Sequence, residues 1–393
     1  MANLVIVGGG FAGVWAALTA AATRRRAGDR NVRITVVNRD PWLTVRPRLY
    51  EPSLTQARVP LNDVLAPAGV ELVVGVVTRI EPVNHRVAIS TNGETRVLPY
   101  DRLILAAGSH MHIPPIPGRD LTFSVDTYAD ANALGGRIAA LAGSPPSRDP
   151  RTAVVVGAGF TGIEVATSLV PRLRVTSPSA RVVVVERAAS VAPDLGPDAR
   201  AHVERAFASL GIEAHTGASV TAIQPTGVAL DNGDWIPAAM TIWTGGFRAN
   251  ALAAQLGVPL DDAGRVAVDE SLQVKTVAGI FAAGDVARAI ADRDGHEVYI
   301  APMSCQCAIP MGEIAGYNAA ADLLGMPRRR FAHTDYVTCL DLGPAGALFM
   351  EGWTRAVRLA GSWGRVMKET INTRLIYPPR PAALADYGVR PAA

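Results

Sequence analysis

Cysteine is scarce in this chain: 393 residues include three, Cys305, Cys307 and Cys339. Three thiols make no disulfide framework, and a bridge between the first two would be strained by their one-residue separation. A reducing compartment, most simply the cytoplasm, is expected. Charge of one sign is lacking too, with 38 Lys and Arg against 35 Asp and Glu. That balance leaves no nucleic-acid footprint, and the basic runs Arg24–Arg26 and Arg328–Arg330 read as solvated faces. His110 and His112 have no third convincing ligand near them in sequence, so no metal site is expected. Long apolar runs are missing beyond the N-terminal segment, where Gly8 to Gly10 interrupt any span and no basic residue comes first; neither export nor a spanning helix is expected.

What the chain has instead is glycine in register. The segments LVIVGGGFAGVWAA and AVVVGAGFTGIEVA each run from an apolar β-type stretch through GxGxxG into a small-residue helix pattern, with glycines at 8, 10 and 13 and again at 157, 159 and 162. One such turn is weak evidence. Two, each followed by a second β run (Val32 to Val37; Arg181 to Val185), imply two dinucleotides, because the turn lets backbone approach a pyrophosphate and the new helix aims free N–H groups at it. Flavin-mediated redox chemistry is the leading reading. The second β run of the later unit ends in Glu186, where a carboxylate grips ribose hydroxyls and repels a 2′-phosphate. NADH is thus favoured, with NADPH kept open by the neighbouring Arg187. The earlier unit ends in Asn38, a weaker acceptor in that place.

With 49% hydrophobic and 19% charged residues the chain is globular, and its length calls for two to three domains. The βαβ pattern predicts an α/β fold of two Rossmann-like dinucleotide-binding domains, the NAD(P) domain inserted in a split FAD domain, plus a small C-terminal α+β piece. The boundaries are placed at 1–112 with 250–327, at 113–249, and at 328–393. Proline clusters at His112–Gly118 and Ser144–Pro150 read as crossings or linkers. The last unit shows β-like runs at Tyr336–Leu342 and Ala347–Glu351 and a helical pattern over Trp363–Ile376.

Together with LILAAGS (103–109), TIWTGG (241–246) and GIFAAGDVA (279–287), these motifs resemble the two-dinucleotide-binding-domain flavoproteins of the pyridine nucleotide-disulfide oxidoreductase superfamily. PRLYEP (47–52) and FTGIE (160–164) resemble the type II NADH:quinone oxidoreductases, single-subunit FAD enzymes that dimerise and sit on membranes. The resemblance covers about residues 3–325. It implies cofactor contacts at Gly8, Gly10, Phe11, Ala12, Gly13, Asn38, Arg39, Arg46, Val77, Ala107, Gly108, Gly284 and Asp285 for FAD, and at Gly157, Gly159, Phe160, Thr161, Gly162, Glu186 and Gly245 for NADH. It also implies that Glu164 and Gln306 act where nicotinamide, flavin and acceptor meet. From the residues alone, Glu164 is equally a carboxylate favoured by a helix N-terminus, and Asp285 a plain helix cap.

Two departures from those enzymes bear on the acceptor. Their Ala-Gln-x-Ala-x-Gln segment reads Cys305–Pro310 here, which retains Gln306 and Ala308 but puts Pro310 where a second amide would stand. Small soluble quinones are therefore expected to serve better than long-tailed ones. Their membrane anchor is doubtful too: Trp363, Val366, Met367, Ile371 and Leu375 form a stripe expected to pack on the protein itself, with Arg365, Lys368 and Arg374 elsewhere. The chemistry expected is an NAD(P)H:acceptor oxidoreductase, a cytoplasmic homodimer with a peripheral place on the inner membrane face left open. A reductase for a ferredoxin-like partner and a redox-sensing flavoprotein without turnover are the alternatives.

Overall fold

The computed structural model describes residues 1–143, 151–175, 177–379 and 387. The proline cluster Ser144–Pro150 lies outside the described residues.

Two five-stranded parallel sheets carry the architecture. In the first, Ala2–Val7 lies between Val32–Asn38 and Arg102–Leu105, with Glu71–Val74 at one edge and Ile280–Ala282 at the other. That last strand arrives after the whole second sheet has been completed, so one sheet is assembled from two distant parts of the chain. The second sheet runs Thr122–Phe123, Met240–Trp243, Thr152–Val156, Arg181–Glu186, Ile212–Thr216. Both sheets are covered on two faces, which is why their central strands read as unbroken Val, Ile and Leu rather than as alternation. The passages between the sheets run side by side as an antiparallel ribbon, Ser109–Met111 against Phe247–Ala249.

Helix Phe11–Arg26 and helix Cys305–Leu323 pack with backbones nearly touching. A Cβ at Gly312 would stand 2.3 Å from the Ala12 carbonyl oxygen, and one at Gly316 would stand 2.1 Å from that of Ala16. This small-residue contact delivers Cys305 and Gln306, at the start of the second helix, beside the first glycine turn.

The C-terminal unit is a three-stranded antiparallel sheet, Val337–Asp341, Ala347–Glu351 and Ala356–Leu359, followed by helix Gly361–Thr370 and a π-helical turn Ile371–Leu375. The expectation that its apolar stripe packs inward is corrected in part: Met367 and Ile371 are half-buried, Ile371 against the core of the first unit, but the other three members are not. Trp363, Val366 and Leu375 are exposed (72%, 56% and 63%), while Lys368 is 7% exposed. The inward face is Gly364, Lys368, Asn372 and Ile376, four residues apart in each case. Close approach selects that face, since a Cβ at Gly364 would lie 1.9 Å from the Ala347 carbonyl oxygen.

The basic run 328–330 is engaged by the chain itself. Arg328 pairs with Asp322, Arg329 lies over the Tyr317 ring, and Arg330 pairs with Glu270.

Candidate active site

A cavity of ≈ 1930 Å³ joins the two glycine turns to the C-terminal helix. Of the sequence-derived cofactor and catalytic positions, all but Gly13 and Gly162 line it. Those two lie beneath the turns, where a Cβ would stand 1.8 Å from the carbonyl oxygen of Gly8 or of Gly157. Gly8 and Gly157 turn the chain at φ +112° and +103°, values that L side chains rarely adopt. The middle glycines differ: no heavy atom lies within 4 Å of a Cβ built on Gly10 or Gly159. Each turn therefore leaves open space above unpaired helix N–H groups, and neither helix has a side-chain cap. That is a cradle for a pyrophosphate.

The ends of the second strands brace these cradles. Asn38 Oδ1 accepts from Gly9 N at 2.9 Å, and its amide nitrogen donates to the Asp40 carbonyl oxygen at 2.8 Å. Glu186 Oε2 accepts from Ala158 N at 2.6 Å and Oε1 from Ala188 N at 2.8 Å. An amide thus performs in the first unit the turn-bracing role that a carboxylate performs in the second. Arg39 reaches the cavity rim, exposed and near Asp40. Asp285 Oδ2 accepts from Ser109 Oγ at 2.6 Å and lies 3.6 Å from Arg46 Nη1, while the other arm of Arg46 pairs with Asp126.

The cavity contains groups that call for a ligand. Arg58 Nε, Thr338 Oγ1 and Arg355 Nε are buried without a hydrogen-bond partner, and all three residues line it. Such orphaned donors are costly unless a bound molecule satisfies them. The three thiols are not activated: burial pushes Cys305 and Cys339 up to about 11 and Cys307 up to about 12. They remain protonated near neutrality, which suits neighbours of a cofactor rather than a redox pair.

Glu164 lines the same cavity, 8% exposed. Its Oε1 accepts from Lys368 Nζ at 2.7 Å and from Asp341 N at 3.1 Å. Burial holds its carboxyl above the ordinary carboxylate range despite the attraction of Lys368. Burial acts against the Lys368 charge, but the Glu164 carboxylate outweighs it and keeps the ammonium protonated. Tyr50 closes the group, with its hydroxyl donating to Asp341 Oδ2 at 2.9 Å and its ring 5.7 Å from Lys368 Nζ. The PRLYEP segment also fastens the C-terminal helix: Arg48 holds Glu51 and the Tyr377 hydroxyl, and Asn372 donates to Glu51 Oε1 at 3.2 Å. Gln306 lines the cavity, with its amide nitrogen 3.4 Å from His333 Nε2. Pro310 does not line it; its effect is local, removing the N–H that would have bonded the Gln306 carbonyl.

Residues 2–312 match the family described as pyridine nucleotide-disulphide oxidoreductase. The chain belongs to that family. An NADH dehydrogenase-like protein of Mycobacterium tuberculosis is 43% identical over 98% of this chain and 97% of its own length. A type II NADH:quinone oxidoreductase of the same organism is 31% identical over 72% of this chain and 66% of its own. Among solved structures, NDH2 from Plasmodium falciparum in complex with NADH covers 99% of both chains with a TM-score of 0.81 at 14% identity, a likeness of fold. This member of the pyridine nucleotide-disulphide oxidoreductases is an NADH-dependent flavoprotein oxidoreductase of the type II NADH:quinone oxidoreductase kind, using FAD and NADH.

The open space at Gly10 gives a clean test of the FAD cradle. The Cβ of Gly10→Val would meet no heavy atom within 4 Å and would stand where a pyrophosphate is expected to lie, so the purified variant should fold and lose most of its flavin. Acid extraction, expected to release all flavin from the wild type as FAD, measures the ratio. An undiminished FAD-to-protein ratio in the variant would contradict the cradle.

Proposed function

We propose that the protein moves a hydride from NADH to FAD and delivers the two electrons to a quinone or quinone-like small molecule. The buried Glu164–Lys368 pair supports this reading most strongly, because reduction of a quinone consumes protons in a place closed to water. When bound, FAD supplies hydride acceptance and two-electron release. The chain supplies the rest. The two glycine turns hold the pyrophosphates, Glu186 takes the ribose hydroxyls of the nicotinamide dinucleotide, and Asp285, set by Ser109 and Arg46, holds a ribityl hydroxyl. Oε1 of Glu164 accepts both neighbouring N–H bonds, which leaves Oε2 free to take up a proton and pass it to the acceptor oxygen. Lys368 stabilises the carboxylate left behind. Gln306 orients the acceptor from the opposite wall.

The exposed Trp363, Val366 and Leu375, with Arg374 beside them, have the chemistry of a helix lying at a lipid surface. A peripheral place on a membrane fits this exposed face better than the inward-packed stripe first expected. A homodimer is part of this reading on family likeness.

Stopped-flow reduction with NADH and NADPH tests the donor side. The Glu186 carboxylate would meet a 2′-phosphate as a like charge, so NADH should be preferred by roughly tenfold or more, and Glu186→Ser should erode the preference. Equal rates in the wild type would rule out this role for Glu186.

A further inference from the structure

Arg355 sits in the turn joining strands Ala347–Glu351 and Ala356–Leu359, and its backbone has φ +53°. A non-glycine residue there carries strain, which persists where the surroundings hold it for a purpose. The side chain leaves its own sheet for the nucleotide unit: Nη1 donates to the Asp194 carbonyl oxygen, and the guanidinium carbon lies 5.3 Å from the Phe160 ring centroid. Its Nε is buried and has no partner.

Phe160 is the first residue of the helix behind the second glycine turn, and that first turn contains no acidic residue. A helix N-terminus is the positive end of its dipole. A guanidinium held beside that helix start adds a second positive group, and the two together favour an anion. Phe160, Asp194, Tyr336 and Arg355 all line the cavity, and Gly159 leaves the space above the N–H groups open.

We propose that Arg355 is a coenzyme-binding residue contributed by the C-terminal unit, donating from Nε to the pyrophosphate of the nicotinamide dinucleotide. The proposal rests on assigning the second glycine turn to the nicotinamide dinucleotide.

The test is calorimetric binding of ADP-ribose, NADH and adenosine to the FAD-loaded protein, reduced beforehand with dithionite so that NADH binds without reacting. A charge-assisted bond to phosphate supports an expected loss of about tenfold or more for Arg355→Gln with ADP-ribose and NADH, with adenosine binding and flavin content unchanged. Arg355→Gly removes the side chain while suiting the left-handed turn, so it should show the same loss without a lower melting temperature. Wild-type affinity for ADP-ribose in both variants would overturn the proposal, as would a loss that accompanies a lower melting temperature in both. A wild-type protein that binds neither ADP-ribose nor NADH would instead refute the assignment of the second turn.

Discussion

Glu164→Gln is expected to slow reoxidation of the NADH-reduced protein by a quinone on the order of 100-fold or more, the typical contribution of a positioned acid or base. The amide keeps the volume and still accepts from Lys368 Nζ and Asp341 N, the two bonds that Oε1 now receives. Only the capacity of Oε2 to carry a proton is lost. Flavin content and hydride transfer from NADH should change much less, and stopped-flow measurement of the two half-reactions separates them. A variant slowed only in reduction would move Glu164 to the nicotinamide side; one slowed in neither would leave it a favourable charge near a helix start.

Lys368→Met should have the second large effect, on stability. Removing one member of a buried ion pair typically costs about 3–5 kcal/mol, because the other charge is left without compensation. Here the cost depends on pH. Burial already raises the Glu164 carboxyl, and Lys368 acts to lower it; without the cation the carboxyl rises further above its unfolded value. A group so raised contributes stability below its unfolded pKa and loses it as pH rises through the folded one. The variant should therefore lie nearer the wild type in urea midpoint at pH 5 than at pH 8. The fall in quinone reoxidation at high pH should shift alkaline for the same reason. A pH-independent difference in midpoint would show that Lys368 acts by packing alone.

The parts of this site that the sequence makes legible are those whose physics is local. Gly8, Gly10 and Gly13 answer to each other within one turn, and Glu186 stands at the end of a strand already marked by its valines. The split sheet was readable because Leu103–Ala107 and Ile280–Ala283 both end at glycine beside the first turn. Lys368 was not readable as a site residue: its partner is Glu164, 204 residues away. On a helix carrying Trp363, Val366 and Leu375, a lysine looks like the solvated side. The buried face was decided by Gly364 against Ala347, a tertiary contact with no hydrophobic signature. Asn38 looked like a weakened ribose ligand because its bond to Gly9 N is invisible in the strand pattern. Arg355 gave no signal either, since a left-handed arginine in a hairpin turn differs from any other turn residue only in its backbone angle.

The central claim is that electrons enter from NADH and leave to a quinone through one cavity with two ends. Anaerobic titration of the purified yellow protein with NADH, followed by separate addition of a quinone, a disulfide and a ferredoxin-like iron–sulfur protein, tests it directly. The account predicts bleaching of the flavin by one equivalent of NADH and its full return with the quinone alone. Return with the iron–sulfur protein or the disulfide but not with the quinone, or no bleaching by NADH, would contradict it.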